Sequence, residues 1–259
     1  MGDIEDLLNV AISAARKAGK ITLKYFRKKM IVHEKEAREL VTNVDIASEK
    51  AIIETIRKTF PSHIIISEEL GESVGRGEYV WIIDPLDGTH NYVHGQPTYG
   101  ISIAVARDSD VIIGVIYLPF YDELFYAVKG CGAFTNNGEK ISVSSIDDLR
   151  NAYILYDPQL HKRFDMFDNL QKLYNKCFTI RIIGSAVYDS CSVACGRAEA
   201  RIWHKTKTVD VAAGTLLVRE AGGKATDFKG RPYKIGMTEV IVSNGKIHDK
   251  LVQILSKTS

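Results

Sequence analysis

Cysteine is scarce in this chain: Cys131, Cys177, Cys191 and Cys195 are the four among 259 residues. They form no CxxC pair and have no histidine partners at zinc-finger spacing, which excludes the common structural zinc modules. Cys191 and Cys195 lie four apart in the helix-like run SAVYDSCSVACG. They read as free buried thiols, in keeping with a reducing cytoplasm. Charge of one sign is not in excess either, with 34 Lys and Arg against 32 Asp and Glu and a formal net charge of +2. Such a balance gives no electrostatic basis for a dedicated nucleic-acid or membrane-surface protein. The basic run Arg27-Lys28-Lys29 reads as the solvated end of a helix, where cations suit the dipole. Apolar runs stay below the roughly 18 residues that a membrane span needs. Asp3, Glu5 and Asp6 make the start of the chain unlike a signal or transit peptide. Internal repeats, low-complexity segments and a Pro- or Ser-rich linker are missing as well. The expectation is a cytoplasmic protein with neither nucleic acid nor membrane as partner.

What remains is ordinary globular composition, 45% hydrophobic and 25% charged, enough for a sizeable core. Ile4, Leu7, Leu8, Ala11, Ile12, Ala15, Ala18 and Ile21 recur at helical spacing and predict one long amphipathic helix within residues 3–29. ASEKAIIETIRKTFPSH predicts a second helix, stopped at Pro61. HIIIS then reads as a strand. YVWIID, YGISIAVARD, DVIIGVIYLP and ELFYAVKG read as consecutive antiparallel strands, with Ser109-Asp110 as a hairpin connection. Beyond residue 150 helix and strand alternate through DMFDNLQKLYN, FTIRIIG, SAVYDSCSVACG, AEARIW, VDVAAGTLLVREAGG, EVIVSN and HDKLVQILS. Gly222-Gly223 is a helix stop. Residues 70–78, LGESVGRGE, are polar and glycine-rich and read as a mobile loop. The whole predicts an α/β chain of layered helices and sheets. Residues 1–145 form an α+β half and 146–259 an α/β half, together one compact unit.

The stretch WIIDPLDGTHNYVHG delivers Asp84 and Asp87 from an apolar strand into one tight turn. Glu68 and Glu69 end the strand HIIIS, so if the two strands are neighbours their ends gather three or four carboxylates. Such a group is mutually repulsive unless protonated or occupied by cations. Oxygen-only ligands select hard cations, and Mg²⁺ in particular is held by a few carboxylates, waters and a substrate phosphate. Gly88 lets the backbone come close to an anion, Thr89 offers a hydroxyl, and a helix beginning near His90 would turn free N–H groups toward it. Two metals about 3.5–4 Å apart can clamp the attacking and leaving oxygens of a phosphoryl displacement. A carboxylate-capped turn is the plain structural alternative. His90 and His94 sit four apart among hard oxygen donors, so they read as helix-surface or packing residues, not as ligands of a softer metal.

WIIDPLDGTHNYVH closely resembles the signature W-x-I-D-P-[IL]-D-G-T-x-N-[FY]-x-H of the inositol monophosphatase family. LVTNVD with PSHIIISEE, and VDVAAGTLLVREAGG, resemble further motifs of that family in the same order, over about residues 5–255. The resemblance implies the family's layered fold of two sheets between helices, a homodimer, and a phosphatase using two or three Mg²⁺ per site. It implies that Glu68, Asp84, the Leu86 carbonyl, Asp87 and Asp210 are the metal ligands. Gly88 and Thr89 would hold the phosphate together with Asp87 and Asp210. Glu68, Thr89 and Asp45 would be catalytic, Asp45 through a hydrogen bond to the threonine, with Glu69 as outer support. Val209 replaces the signature tryptophan before Asp210, which removes a large packing group. Taken alone, Asp210 is also an ordinary helix cap.

Substrate choice falls to the second half. Gly184, Ser185 and Ala186 match a stretch that touches the sugar or cyclitol in this family. An ungapped reading puts Trp203 where animal members carry a glutamate that contacts ring hydroxyls, and an indole cannot accept a hydrogen bond from a hydroxyl. His204, Lys205 and Lys207, with Arg181, offer a cationic rim for a second phosphate, the alternative being an exposed basic loop. The expected activity is hydrolysis of inositol monophosphate or related small phosphorylated polyols and sugars. Fructose 1,6-bisphosphate as the main substrate, 3′-phosphoadenosine phosphates, and a non-catalytic phosphate- or metal-binding regulator are the alternatives.

Overall fold

The computed structural model describes residues 2–36, 39–73, 75, 77–160 and 165–256. Helix α1 (Gly2–Tyr25) is followed by a small antiparallel pair, β1 (Val32–Glu36) and β2 (Glu39–Thr42), and by α2 (Asn43–Thr59). Then come β3 (Ile64–Ser67), β4 (Gly71–Ser73), β5 (Tyr79–Asp87), the short α3 (Thr89–Val93), β6 (Gly100–Arg107), β7 (Asp110–Leu118), β8 (Glu123–Val128) and β9 (Gly132–Thr135). The second half contains β10 (Tyr153–Tyr156), α4 (Asp165–Tyr174), β11 (Thr179–Arg181), α5 (Ala186–Ala194), β12 (Ala200–Trp203), α6 (Thr208–Glu220), β13 (Lys224–Thr226), β14 (Val240–Ser243) and α7 (His248–Leu255).

A seven-stranded sheet runs β4-β3-β5-β6-β7-β8-β9, and a five-stranded sheet runs β11-β10-β12-β14-β13. In the first, β3 and β5 are parallel and the other pairs antiparallel. Both faces of β5 are covered, which is why its stretch from Tyr79 to Ile83 is continuously apolar instead of alternating. Trp81 and Ile83 pack with Leu7, Ala11, Ala18, Ile52 and Ile56 of α1 and α2. Ile82 faces the other way, into a cluster with α5 and α6 that continues to Trp203 and Val242 of the second sheet. Helix α6 is buried nearly all round, from Val209 to Val218, as a helix sandwiched between two layers must be. Its neighbour α5 comes so close that a methyl added at Gly214 would stand 2.2 Å from Ser190 Oγ. On the outer side of the second sheet, Ile154, Tyr156, Ile202 and Ile241 pack against Met166, Leu173, Leu251 and Leu255 of α4 and α7. Layers of helix, sheet, helix, sheet and helix follow one another.

Several boundaries differ from the sequence expectation for local reasons. Helix α1 stops at Tyr25, so Arg27-Lys28-Lys29 lies in the turn beyond it. There Arg27 adopts φ 58°, rests its guanidinium 5.1 Å from the Phe26 ring centroid and donates to the Gly95 carbonyl at 3.1 Å. Helix α2 begins at Asn43, four residues before the expected start, because Thr42 and Asp45 form a reciprocal capping box. The hairpin between β6 and β7 turns on Asp108 and Ser109, both at positive φ, while Asp110 already belongs to β7. Within the expected loop 70–78, Gly71–Ser73 instead form the edge strand β4 against β3, and residues 74 and 76 lie outside the described residues.

Candidate active site

Parallel pairing of β3 with β5 sets Ser67 opposite Ile83, so Glu68 leaves the sheet beside Asp84. Against β6, Asp84 pairs with Ser102 and Asp87 with Gly100. That gives one extra residue on β5, a bulge that bends the strand and re-aims its side chains. Asp84 is buried and its Oδ1 accepts the Leu86 N–H at 3.1 Å. Asp87 accepts from the Ser185 hydroxyl and from the N–H groups of Ala186 and Val187 at 3.1 and 3.2 Å. The start of α5 is thereby fastened to the bulge. Asp210, in the first turn of α6, accepts from the Lys207 N–H and the Thr206 hydroxyl, both at 3.0 Å. It is a cap as well as a member of the pocket wall.

Glu68, Asp84, Leu86, Asp87, Gly88, Thr89 and Asp210 all line one cavity of about 940 Å³. Burial raises the Asp84 carboxyl well above its usual range, and Glu68, Asp87 and Asp210 push it further. Burial lifts Asp87 to about 6 against the donors from α5. Asp210 stands at about 7, from burial and then from Glu68. Carboxylates that disfavour one another's charge in this way fit a bound hard cation in donor type and in electrostatics. Among the described residues, no three Asp, Glu, His or Cys side chains are already drawn together as a metal cluster. Each carboxylate is instead held on donors of the protein, Glu68 on the Lys207 ammonium at 3.4 Å.

Beside the bulge, Thr89 Oγ1 lies 3.1 Å from Asp45 Oδ1 and 3.0 Å from the Leu86 carbonyl. Asp45 Oδ2 takes the Thr42 N–H and hydroxyl at 2.8 and 2.5 Å, yet burial still raises its pKa. The capping box of α2 thus positions Asp45 against Thr89. Gly88 has φ 80°, and an added Cβ would meet the Thr98 carbonyl at 2.9 Å. Only glycine fits there. Glu69 pairs with Lys35 of β1, and burial raises its pKa.

The far wall departs from expectation. Gly184, Ser185 and Ala186 line the pocket, as do Trp203 and the exposed Lys205. Arg181 does not: it folds back over Tyr153 and onto the Ile180 carbonyl at the sheet edge. His204 points to the opposite side of β12, buried, with its Nε2 3.1 Å from Tyr156 Oη and 3.2 Å from Asn169 Nδ2. Strand alternation is the cause, since His204 follows the inward-facing Trp203. Lys207 is turned onto Glu39 and Glu68. Of the expected cationic rim, Lys205 and Lys207 line the pocket, Lys207 with its ammonium held by the two carboxylates. Arg201, which sequence reading missed, lines the pocket instead. It is buried, pairs with Asp189 at 2.8 Å and lies 4.8 Å from the Trp203 ring centroid. An arginine inside the apolar strand ARIW was the available signal. Asp157 and Gln159, also missed, complete this wall. His90 lines the pocket from α3, and His94 Nδ1 lies 2.8 Å from the His90 carbonyl. All four cysteines are free, but of them only Cys191 is buried as expected; Cys177 and Cys195 are half-buried and Cys131, in the turn before β9, is exposed. Among the described residues no helix is long and apolar enough to cross a membrane.

The sequence profile of the inositol monophosphatase family matches residues 3–259. The chain belongs to the inositol monophosphatase family. Among its relatives, a protein named fructose-1,6-bisphosphatase/inositol-1-monophosphatase from Aquifex aeolicus is 34% identical over 262 residues, covering 99% of this chain and 98% of the relative. A protein named Nus factor SuhB from Pasteurella multocida is 41% identical over 230 residues, 86% of either chain. The Thermotoga maritima IMPase structure superposes with a TM-score of 0.90 at 34% identity, covering 98% of both chains. A structure described as IMPase/NADP phosphatase complexed with Mg²⁺ and phosphate superposes with a TM-score of 0.85 at 27% identity, covering 99% of this chain and 96% of the other. This inositol monophosphatase family member is a Mg²⁺-dependent phosphoric monoester hydrolase with the family's layered fold.

Proposed function

We propose that the carboxylate end of the pocket is the catalytic centre, with two or three Mg²⁺ held by Glu68, Asp84, the Leu86 carbonyl, Asp87 and Asp210. The observation that carries this reading is the convergence of these groups on one cavity beside the Gly88-Thr89 turn. When bound, Mg²⁺ supplies a water acidified toward neutral pH and neutralises charge on the phosphoryl oxygens. The chain's own groups do the positioning. Gly88 admits the phosphate against the backbone. Thr89 donates its hydroxyl hydrogen to Asp45 Oδ1 at 3.1 Å, which leaves its lone pairs for a water aimed at phosphorus. Glu68, on the wall of the same cavity, would accept a hydrogen bond from that water. Asp87 fixes the start of α5, so that Gly184, Ser185 and Ala186 meet the alcohol portion of the substrate. A small phosphorylated polyol or sugar is the substrate class. Inositol monophosphate leads over fructose 1,6-bisphosphate because the Arg201–Asp189 pair balances its own charge, Lys207 on the pocket lining is engaged by Glu39 and Glu68, and Arg181 and His204 are turned away.

A homodimer in the cytoplasm, with no nucleic-acid partner, accompanies this reading. The near-zero net charge supports the last point, and a filter-binding assay with RNA checks it. The decisive assay is phosphate release from inositol 1-phosphate and fructose 1,6-bisphosphate, side by side, with Mg²⁺ and then EDTA. Mg²⁺-dependent release with a higher kcat/KM on inositol 1-phosphate is the expected result. Equal or higher efficiency on the bisphosphate would reverse the order of substrates, and release that survives EDTA would remove the metal.

A further inference from the structure

Lys207 immediately precedes α6, where the helix's N-terminal partial positive charge disfavours a cation. Its side chain is 53% exposed, so water is available to solvate the ammonium. The ammonium nevertheless turns back across the pocket mouth, 3.1 Å from Glu39 Oε2 of β2 and 3.4 Å from Glu68 Oε1. Glu39 and Glu68 are 23% and 22% exposed, so the pairing is only partly screened by water and contributes modestly to stability. Its consequence lies in which carboxylate is engaged. Glu68 stands among the four acidic side chains assigned above to Mg²⁺, and an ammonium at its oxygen repels any second cation brought to the same group.

We propose that Lys207 is a positioning residue that competes with divalent metal for Glu68, and that Glu39 keeps the displaced ammonium at the pocket mouth when the metal prevails. This rests on the reading of Glu68 as a ligand. The tethered cation sets the Mg²⁺ concentration at which the site fills. It compensates the acidic cluster until then, and it remains at the mouth through which an anionic substrate enters.

The test is Mg²⁺ titration calorimetry on the full chain, repeated with Mn²⁺ by electron paramagnetic resonance, for wild type, Lys207→Met, Lys207→Arg and Glu68→Gln. Lys207→Met should bind metal about three- to tenfold more tightly, with the Mg²⁺ concentration for half-maximal turnover falling in parallel. Lys207→Arg, which keeps the charge, should stay near wild type, and Glu68→Gln should lose affinity. Unchanged or weaker metal binding by Lys207→Met, with Glu68→Gln impaired, overturns the role of Lys207 alone. Wild-type affinity in Glu68→Gln overturns the ligand assignment and this proposal together. Should Lys207→Met fail to fold, Lys207→Gln removes the same charge and is read the same way.

Discussion

The two ends of the pocket are built by different means. At the carboxylate end, Asp84, Leu86, Asp87, Gly88 and Thr89 come from six consecutive positions that run from the bulged end of β5 into α3, with Glu68 from the end of its parallel neighbour and Asp210 from α6. At the far end, Asp157, Gln159, Arg201, Trp203 and Lys205 come from the ends of two strands of the other sheet. One end places charge on a support buried on both faces. The other places a charge-balanced ion pair, an indole and one lysine around a larger space. On the proposed reading, chemistry that every substrate shares is carried by the first, and choice among substrates by the second.

Substitution should separate the two. Asp87→Asn should cost on the order of a thousandfold in kcat/KM while leaving the fold intact by circular dichroism. Near-wild-type turnover would take Asp87 out of the centre. Gly88→Ala should cost about 1–3 kcal/mol in stability by denaturant unfolding, along with most activity, because both the backbone conformation and the contact with the Thr98 carbonyl forbid a methyl. At the other end, Trp203→Ala should raise KM about tenfold with Mg²⁺ affinity and kcat little changed. A matching loss of Mg²⁺ binding would show that the ends are not separable.

A smaller effect sharpens the electrostatic side of the contrast. In the folded chain Asp87 and Asp210 titrate at about 6 and about 7, above the value of about 4 for an unfolded aspartate. A carboxyl with a raised folded pKa contributes stability that is fully present below the unfolded pKa and is lost as pH rises through the folded one. Metal-free protein should therefore lose stability between about pH 4 and 7. The rise in Tm on adding Mg²⁺ should be larger at pH 8 than at pH 5. A Mg²⁺ shift independent of pH, measured by differential scanning calorimetry, would contradict this account of the carboxylates.

The same contrast governs what could be read from the sequence. Asp84 to Thr89 are contiguous, so strand, turn and acidic residues are visible together, and Glu68 follows from placing two apolar runs side by side. Layering is legible because helical spacing and fully apolar strands alternate along the chain. The short strands β1, β2, β4 and β13 escape notice because three to five residues carry too little pattern to outweigh turn-forming neighbours. His204 and Lys207 group by nearness to Trp203 along the chain and Arg181 by nearness to Gly184, but strand alternation and the helix start send their side chains in three directions. Arg201 was hidden because a buried arginine is intelligible only with its partner, Asp189, which lies in a different element.

The central claim is that one acidic end of the pocket holds the metal. Anomalous diffraction from crystals soaked in Mn²⁺ tests it most directly. Peaks bounded by Glu68, Asp84, Asp87 and Asp210 are the expected result. Peaks elsewhere, or none at a Mn²⁺ concentration that supports turnover, would contradict it.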